Sequence, residues 1–192
     1  MKKYEGYEQA EAFTGEFDRL EPDGYICKIV DVKAEEKEYG TLLRIAFDIA
    51  EGDYKDYFRQ LYKKRKETLD EAKWPNGGMY YQTAREDDLR YFKGFMTSIE
   101  ESNPGYRWNW DEKTLRGKLF GGIFGEEEYE GNDGIIKTAV KCRFIRSVDA
   151  IRNGKFSIPP VKTLNKKDIT KTSAQNDLGS LLSESADDDI PF

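Results

Sequence analysis

The chain contains no histidine and only two cysteines among its 192 residues. Without histidine it lacks the commonest general base at neutral pH and the commonest transition-metal ligand, which counts against many enzyme classes. Cys27 and Cys142 each lie in an apolar, strand-like stretch, a pattern that favours buried thiols over a disulfide or a metal pair. We expect neither a cofactor nor a bound metal.

Long hydrophobic runs are also missing. No apolar stretch approaches the roughly 20 residues of a membrane-spanning helix, and the first five residues lack the apolar segment of a signal peptide, so we expect a cytoplasmic protein. The sequence has no phosphate-binding glycine loop, nucleophile elbow or zinc-type cysteine spacing. Consecutive acids such as Asp87-Asp88 point in different directions and rarely converge on one ion. These absences argue against an enzyme.

Aromatic residues and charge are plentiful instead. Tyr, Phe and Trp make up 14% of the chain, although the mean hydropathy of -0.82 marks it as very polar. The formal net charge of -6 excludes a uniformly basic surface. Any basic site for nucleic acid must therefore be local.

The first half of the chain shows alternation typical of strands. Tyr25, Cys27 and Ile29 share one face, and after a charged turn ending at Gly40 a second set alternates from residue 43 to residue 49. Residues 56–62 are aromatic and β-prone, which predicts a third strand. Residues 63–82 then form a long basic connection on the surface.

A helix follows this connection. Thr83 and Glu86 match a capping box, and Leu89, Phe92, Met96 and Ile99 fall on one face before Asn103-Pro104-Gly105 ends the pattern. Residues 115–126 and 135–148 predict two more strands, the first with a glycine pair that suggests a bulge. The order β-β-β-α-β-β predicts an OB-like five-stranded barrel; an SH3-like barrel and a split sheet are alternatives.

The chain divides into three parts. Residues 1–23 are mixed in character and form an N-terminal arm, and residues 24–161 form the domain. Beyond Pro159-Pro160 the hydrophobic period is lost, and residues 162–192 carry too little apolar surface to offset their ordering entropy. We therefore expect a disordered acidic tail.

The last six residues have the sharpest chemistry in the sequence: Asp187, Asp188, Asp189, Ile190, Pro191 and Phe192. The terminal ring suits a small apolar pocket, and the α-carboxylate beside it suits a basic group at the rim of that pocket. Pro191 lowers the ordering cost of binding, and the aspartates favour a basic ridge and a salt-sensitive on-rate. The tip is predicted to bind partner proteins.

This tip resembles the C-terminal tip of bacterial single-stranded DNA-binding proteins. The resemblance implies docking onto a host or phage helicase, primase, polymerase, nuclease or recombination mediator. The body, over about residues 24–161, resembles the single-stranded DNA-binding proteins of phages and prophages of Gram-positive bacteria, through Glu51-Gly52-Asp53-Tyr54, Lys73-Trp74-Pro75, Ser102-Asn103-Pro104-Gly105-Tyr106, Gly125-Glu126-Glu127-Glu128-Tyr129 and the run from Arg146 to Lys155. The arm, the 63–82 insertion and the short linker depart from the housekeeping proteins and put their tetramer in doubt here. The resemblance implies a protein that protects single-stranded DNA in phage replication, recombination and repair, in a bacterial cytoplasm.

Binding of a single strand without sequence readout needs cations for the backbone and rings for the bases. Successive side chains of a strand point to opposite faces. If Leu43, Ile45, Val140, Cys142 and Phe144 point inward, the neighbouring cations therefore point outward. The predicted groove residues are Arg44, Tyr57, Arg59, Tyr62, Lys64, Arg65, Trp74, Lys118, Phe120, Lys141 and Arg143. The Lys63 to Lys66 run, with Tyr62 and Trp74 nearby, is a candidate for a flexible clamp over the DNA, with a solvated charged loop as the alternative.

Two other functions fit the same residues. In the first, a recombination adaptor or host-nuclease decoy uses the tip to capture a bacterial protein, and the barrel does not bind DNA. In the second, weaker reading the barrel binds RNA, although no residue is identifiable as a sensor of the 2′-hydroxyl. Titration with a dT oligomer separates the adaptor from the DNA-binding protein.

Overall fold

The computed structural model describes residues 19–131 and 133–164. These residues form β1 Gly24–Lys37, β2 Gly40–Ile49, α1 Tyr57–Thr68, β3 Met79–Ala84, α2 Arg90–Ser102, β4 Leu119–Glu130, β5 Ile136–Arg146 and α3 Val148–Arg152, with two short 3-10 turns, Asn76–Gly78 and Glu112–Leu115. The five strands make one antiparallel sheet in the order β3-β2-β1-β4-β5. A mainly β fold with few helices is thus confirmed.

The core is a cluster of rings centred on Phe47 of β2. Its ring makes edge contacts with Phe58, Phe120 and Phe124 at centroid distances of 5.5, 5.4 and 6.0 Å. The predicted inward face of β2 is confirmed, because Leu43, Ile45, Phe47 and Ile49 are all buried. Each such side chain contributes about 1.5–3 kcal/mol by leaving water.

The predicted third strand over residues 56–62 is wrong, because this segment belongs to helix α1. Phe58 packs in the core against Phe47, and the buried Asp48 carboxylate accepts hydrogen bonds from the backbone N–H groups of Phe58 (2.9 Å) and Arg59 (3.1 Å). Those N–H groups have no partner within the helix, so Asp48 stabilises its first turn from a different element. The β propensity of the rings does not outweigh these contacts.

The third strand is instead β3, within the segment predicted to be a surface connection. It pairs with β2 from Thr41↔Ala84 to Ala46↔Met79. Thr83 therefore lies in a strand and caps no helix. The predicted α2 is confirmed between the third and fourth strands of the sheet, with Phe92, Phe95, Met96 and Ile99 buried. It begins later than expected, at Arg90, whose N–H donates to the Asp88 carboxylate at 3.2 Å, and Leu89 is exposed.

The two strands predicted in the second half of the chain are present as β4 and β5, and they pair with each other as a long hairpin. Their register shifts between Ile123 and Phe124, next to the glycine pair, so the expected bulge is present. A Cβ on Gly122 would lie 3.2 Å from both cysteine sulfurs. Cys27 and Cys142 are free and buried over this glycine, as predicted, and burial raises the pKa of both thiols.

β1 pairs with β4 only from Leu119 to Ile123, which leaves the outer part of that β4 edge uncovered. Lys162 covers it with a parallel bridge to Glu127. The Lys162 N–H donates to the Glu126 carbonyl and the Glu128 N–H donates to the Lys162 carbonyl, both at 2.9 Å. Within the described ranges, no helix is long and apolar enough to cross a membrane.

Candidate nucleic-acid interface

A groove separates the two edge strands of the sheet, β3 and β5. Its volume is about 720 Å³, and residues of both strands together with the start of α2 line it. We call it the β3–β5 groove. Two further cavities, each of about 420 Å³, extend the groove along β5 towards α1. The nearer cavity shares Tyr80, Tyr81 and Arg143 with the groove. The farther cavity, beside α1, shares Asn76 and Lys141 with the nearer one. The depression thus follows β5 for much of its length.

Arg143 and Arg146 give this groove its positive charge. Within the described residues neither guanidinium lies within 4 Å of a carboxylate; Arg143 donates to the Glu126 carbonyl at 3.4 Å and Arg146 to the Ile145 carbonyl at 3.0 Å. The other two arginines of the groove, Arg85 and Arg90, are bound to neighbouring aspartates at 3.0 and 2.9 Å. Neither β5 arginine is therefore held in an ion pair with a described carboxylate, although Arg143 is close enough to Glu127 to help lower the pKa of that carboxyl.

Two exposed rings face the same groove from its opposite walls. Tyr81 of β3 is 50% exposed and Phe144 of β5 is 45% exposed. Because large apolar rings normally bury, exposed rings beside unneutralised cations fit the stacking of bases. The arrangement can hold an anionic chain that carries planar groups.

The inward orientation predicted for Phe144 is wrong. The register shift opposite Ile123 and Phe124 leaves Arg143 as an extra residue on β5, which reverses the alternation so that Ile145 is buried. Sequence reasoning missed both Phe144 and Tyr81. The expected bulge beside Gly121-Gly122 was the one signal for Phe144, but its position on β5 is set by the pairing with β4.

Four of the predicted groove residues line the continuous depression. They are Tyr57, Arg65, Lys141 and Arg143. Lys141 lies 3.8 Å from Glu127, a carboxylate that also binds Lys162 at 2.7 Å. Tyr57 and Arg65 come from α1, so the helix that replaces the predicted strand still brings them to this surface.

Three predicted residues are not presented to solvent. Phe120 is fully buried against Phe47, since the strand pairing points it into the core. Trp74 is 7% exposed and its indole N–H donates to the Gly78 carbonyl at 3.1 Å, so it is no flexible clamp. Arg44 is 9% exposed and binds Glu35 at 2.9 Å. The predicted outward orientation, towards bound DNA, is therefore wrong for Phe120 and Trp74. Arg44 is paired with Glu35 within the sheet.

The four other predicted residues lie outside the depression. Arg59 is 3.9 Å from Asp56, and Lys64 is exposed on α1, where the Lys63 to Lys66 run is helical and not a loop. Tyr62 packs on Trp74 at 5.5 Å. The Lys118 ammonium lies 4.5 Å from the centre of the Tyr106 ring. Their role in binding stays a prediction.

The predicted partner-binding tip, Asp187 to Phe192, and the arm before Arg19 lie outside the described residues. Among residues 19–131 and 133–164, no group of three or more acidic or cysteine side chains is placed to hold a metal ion. No protein-family model matches the chain, and no curated protein is significantly similar to it.

Proposed function

We propose that the chain binds single-stranded DNA along β5, protects it during phage replication and recombination, and recruits replication and repair proteins through its C-terminal tip. The observation that carries the proposal is the set of Arg143, Arg146, Phe144 and Tyr81 around one groove. In a chain with net charge -6, unneutralised arginines beside exposed rings are the local basic site that a nucleic-acid binder requires. The binding role of the tip comes from the resemblance of its residues.

We also propose that the sheet curls into an OB-like barrel. Because each neighbouring pair in the order β3-β2-β1-β4-β5 is antiparallel, the two edge strands β3 and β5 run in the same direction. Met79 to Thr83 and Lys141 to Arg146 flank the same cavities in the same order along the chain, which supports an approach of β3 to β5. The single-stranded DNA would then lie where β3 and β5 approach each other and close the barrel.

In this proposal the bases and the backbone use different residues. Bases stack on Tyr81 and Phe144, each stack contributing about 1–3 kcal/mol whatever the base. Arg143 and Arg146 bind phosphates, so binding weakens as salt rises. Stacking and phosphate binding do not depend on the identity of the base, which suits a protein that coats DNA of any sequence.

The test is a titration of 5′-labelled dT oligomers by fluorescence anisotropy at several salt concentrations. The R143A/R146A variant should bind at least about tenfold more weakly, with a salt slope shallower by about 1.4, or roughly 0.7 for each lost phosphate contact. R107A/K113A is the matched control, since it removes the same charge from exposed positions that line no part of the groove. Wild-type protein indifferent to dT in low salt would leave the adaptor or decoy function as the better account.

A further inference from the structure

Phe144 lines a second cavity as well as the β3–β5 groove. This second cavity has a volume of about 600 Å³ and lies between β5 and the segment that follows α3. Arg143, Phe144 and Arg146 line both spaces. We call it the distal cavity; the function proposed above does not use it.

The chemistry of the distal cavity is that of an anion site with apolar walls. Lys155 adds a third cation to Arg143 and Arg146, and it too makes no ion pair with the described carboxylates. None of the residues lining the cavity is acidic. Phe156 and Ile158 supply apolar surface, and Ile158 is exposed. Positive charge beside rings and aliphatic groups complements a nucleotide, which carries an anionic phosphate and a planar base.

The outer wall of the cavity is held in place by two close approaches to glycine. A Cβ on Gly24 would lie 2.6 Å from the Phe156 ring, and one on Gly125 would lie 2.5 Å from Cγ of Pro159. The segment carrying Lys155 therefore packs directly on the backbones of β1 and β4. A wall fixed before binding lowers the ordering cost of holding a ligand.

We infer that the distal cavity is a second nucleotide-binding subsite, in which a strand leaving the β3–β5 groove passes over Phe144 and places its next phosphate against Lys155. This inference rests on the proposed function. The shared Arg143 and Arg146 make the path continuous, which favours one polynucleotide over a separate ligand for each space. With this subsite the protein contacts a longer stretch of the DNA without a second groove.

The inference predicts a dependence on strand length. Labelled dT oligomers of about 4 and about 12 nucleotides, both within the range of about 4–16 held by single OB domains, are titrated into wild type, K155A and K113A. K155A should bind the short oligomer within about twofold of wild type. It should bind the long oligomer about fivefold more weakly, with a salt slope shallower by about 0.7, while K113A matches wild type on both. S157E, which puts a carboxylate into the same cavity from an exposed position, should also weaken only the long oligomer.

The possible failures are distinguishable. If wild type binds the long oligomer but K155A and S157E bind it as K113A does, the second subsite is refuted and the proposed function stands. If K155A weakens both lengths equally, Lys155 belongs to the first site and the inference is again wrong. If wild type binds neither oligomer, the proposed function falls and the inference falls with it.

Discussion

The carboxylate of Asp48, at the end of β2, accepts a hydrogen bond of 2.9 Å from the backbone N–H of Phe58 in the first turn of α1. The same oxygen accepts from the N–H of Ile49, and the second oxygen accepts from Arg59. Asp48 is buried, and its burial raises the pKa of the carboxyl although these hydrogen bonds act in the opposite direction. One side chain thus joins the sheet to α1, the helix that lines the far end of the depression along β5.

We predict that Asp48→Ala destabilises the domain by about 2–3 kcal/mol, because it leaves buried N–H groups without an acceptor and the helix without its cap. Urea unfolding followed by circular dichroism measures the change. Asp53→Ala is the control, since Asp53 is exposed in the turn before α1, and it should shift stability by no more than about 0.5 kcal/mol. Equal losses for the two variants would contradict the role of Asp48.

Asp48 also explains why α1 could not be predicted from the sequence. The rings of residues 56–62 favour a strand locally, whereas the contacts that decide the conformation come from Asp48 and Phe47 on β2. By contrast, β2 and α2 carry their periods within the element itself, and both were predicted. Local patterns therefore located four of the five strands and the second helix, but neither β3 nor the cap between elements.

The candidate site shows the same division. Lys141 and Arg143 were predicted from alternation along β5, and both line the depression. Phe144 was missed because one residue of register shift changes the face of every residue beyond it. Tyr81 was missed because its strand follows Pro75, Gly77 and Gly78, which read as a loop.

The two phenylalanines of neighbouring strands should respond oppositely to truncation. Phe120→Ala removes a fully buried ring and should cost about 3–5 kcal/mol of stability. Phe144→Ala removes a half-exposed ring, so it should change stability by less than about 1 kcal/mol but weaken dT binding by about 1–3 kcal/mol. Thermal unfolding and anisotropy titration measure the two effects. Unchanged dT affinity in Phe144→Ala would remove this ring from the interface.

The pH dependence of stability should report the Glu35 cluster. Hydrogen bonds from Lys37, and then from Arg44, lower the pKa of the Glu35 carboxyl below its ordinary value. A lowered pKa means that the stabilisation is present above the ordinary carboxyl pKa and is lost as the pH falls through the lowered one. Because the group is near the surface, the effect should not exceed about 1 kcal/mol.

Glu35→Gln tests this, with urea unfolding of both proteins between about pH 3 and pH 7. Wild type should be the more stable protein near neutral pH, and the difference should shrink towards acid. A difference that grows as the pH falls would show that Glu35 is not held ionised by its two cations.

Deletion of residues 187–192 should separate the two proposed activities. Partner capture should be lost, whereas dT affinity should stay the same or rise, because the deleted aspartates compete with phosphate for cations. The measurements are a pull-down with a host replication protein that has a basic, apolar pocket and a dT titration in parallel. Replacement of Phe192 by Ala tests the terminal ring alone, because it leaves the acidic residues unchanged. This variant should also lose capture of the partner protein. Loss of dT binding on deletion would contradict the division of labour.

The bridge between Lys162 and Glu127 affects how copies of the chain behave towards one another. By occupying the uncovered part of the β4 edge, it removes a template on which another molecule's backbone would add as a strand. A chain shortened to residue 160 would bare the Glu126 carbonyl and the Glu128 amide to its neighbours. We therefore expect the shortened chain to pair with itself along this edge more readily than the full chain does.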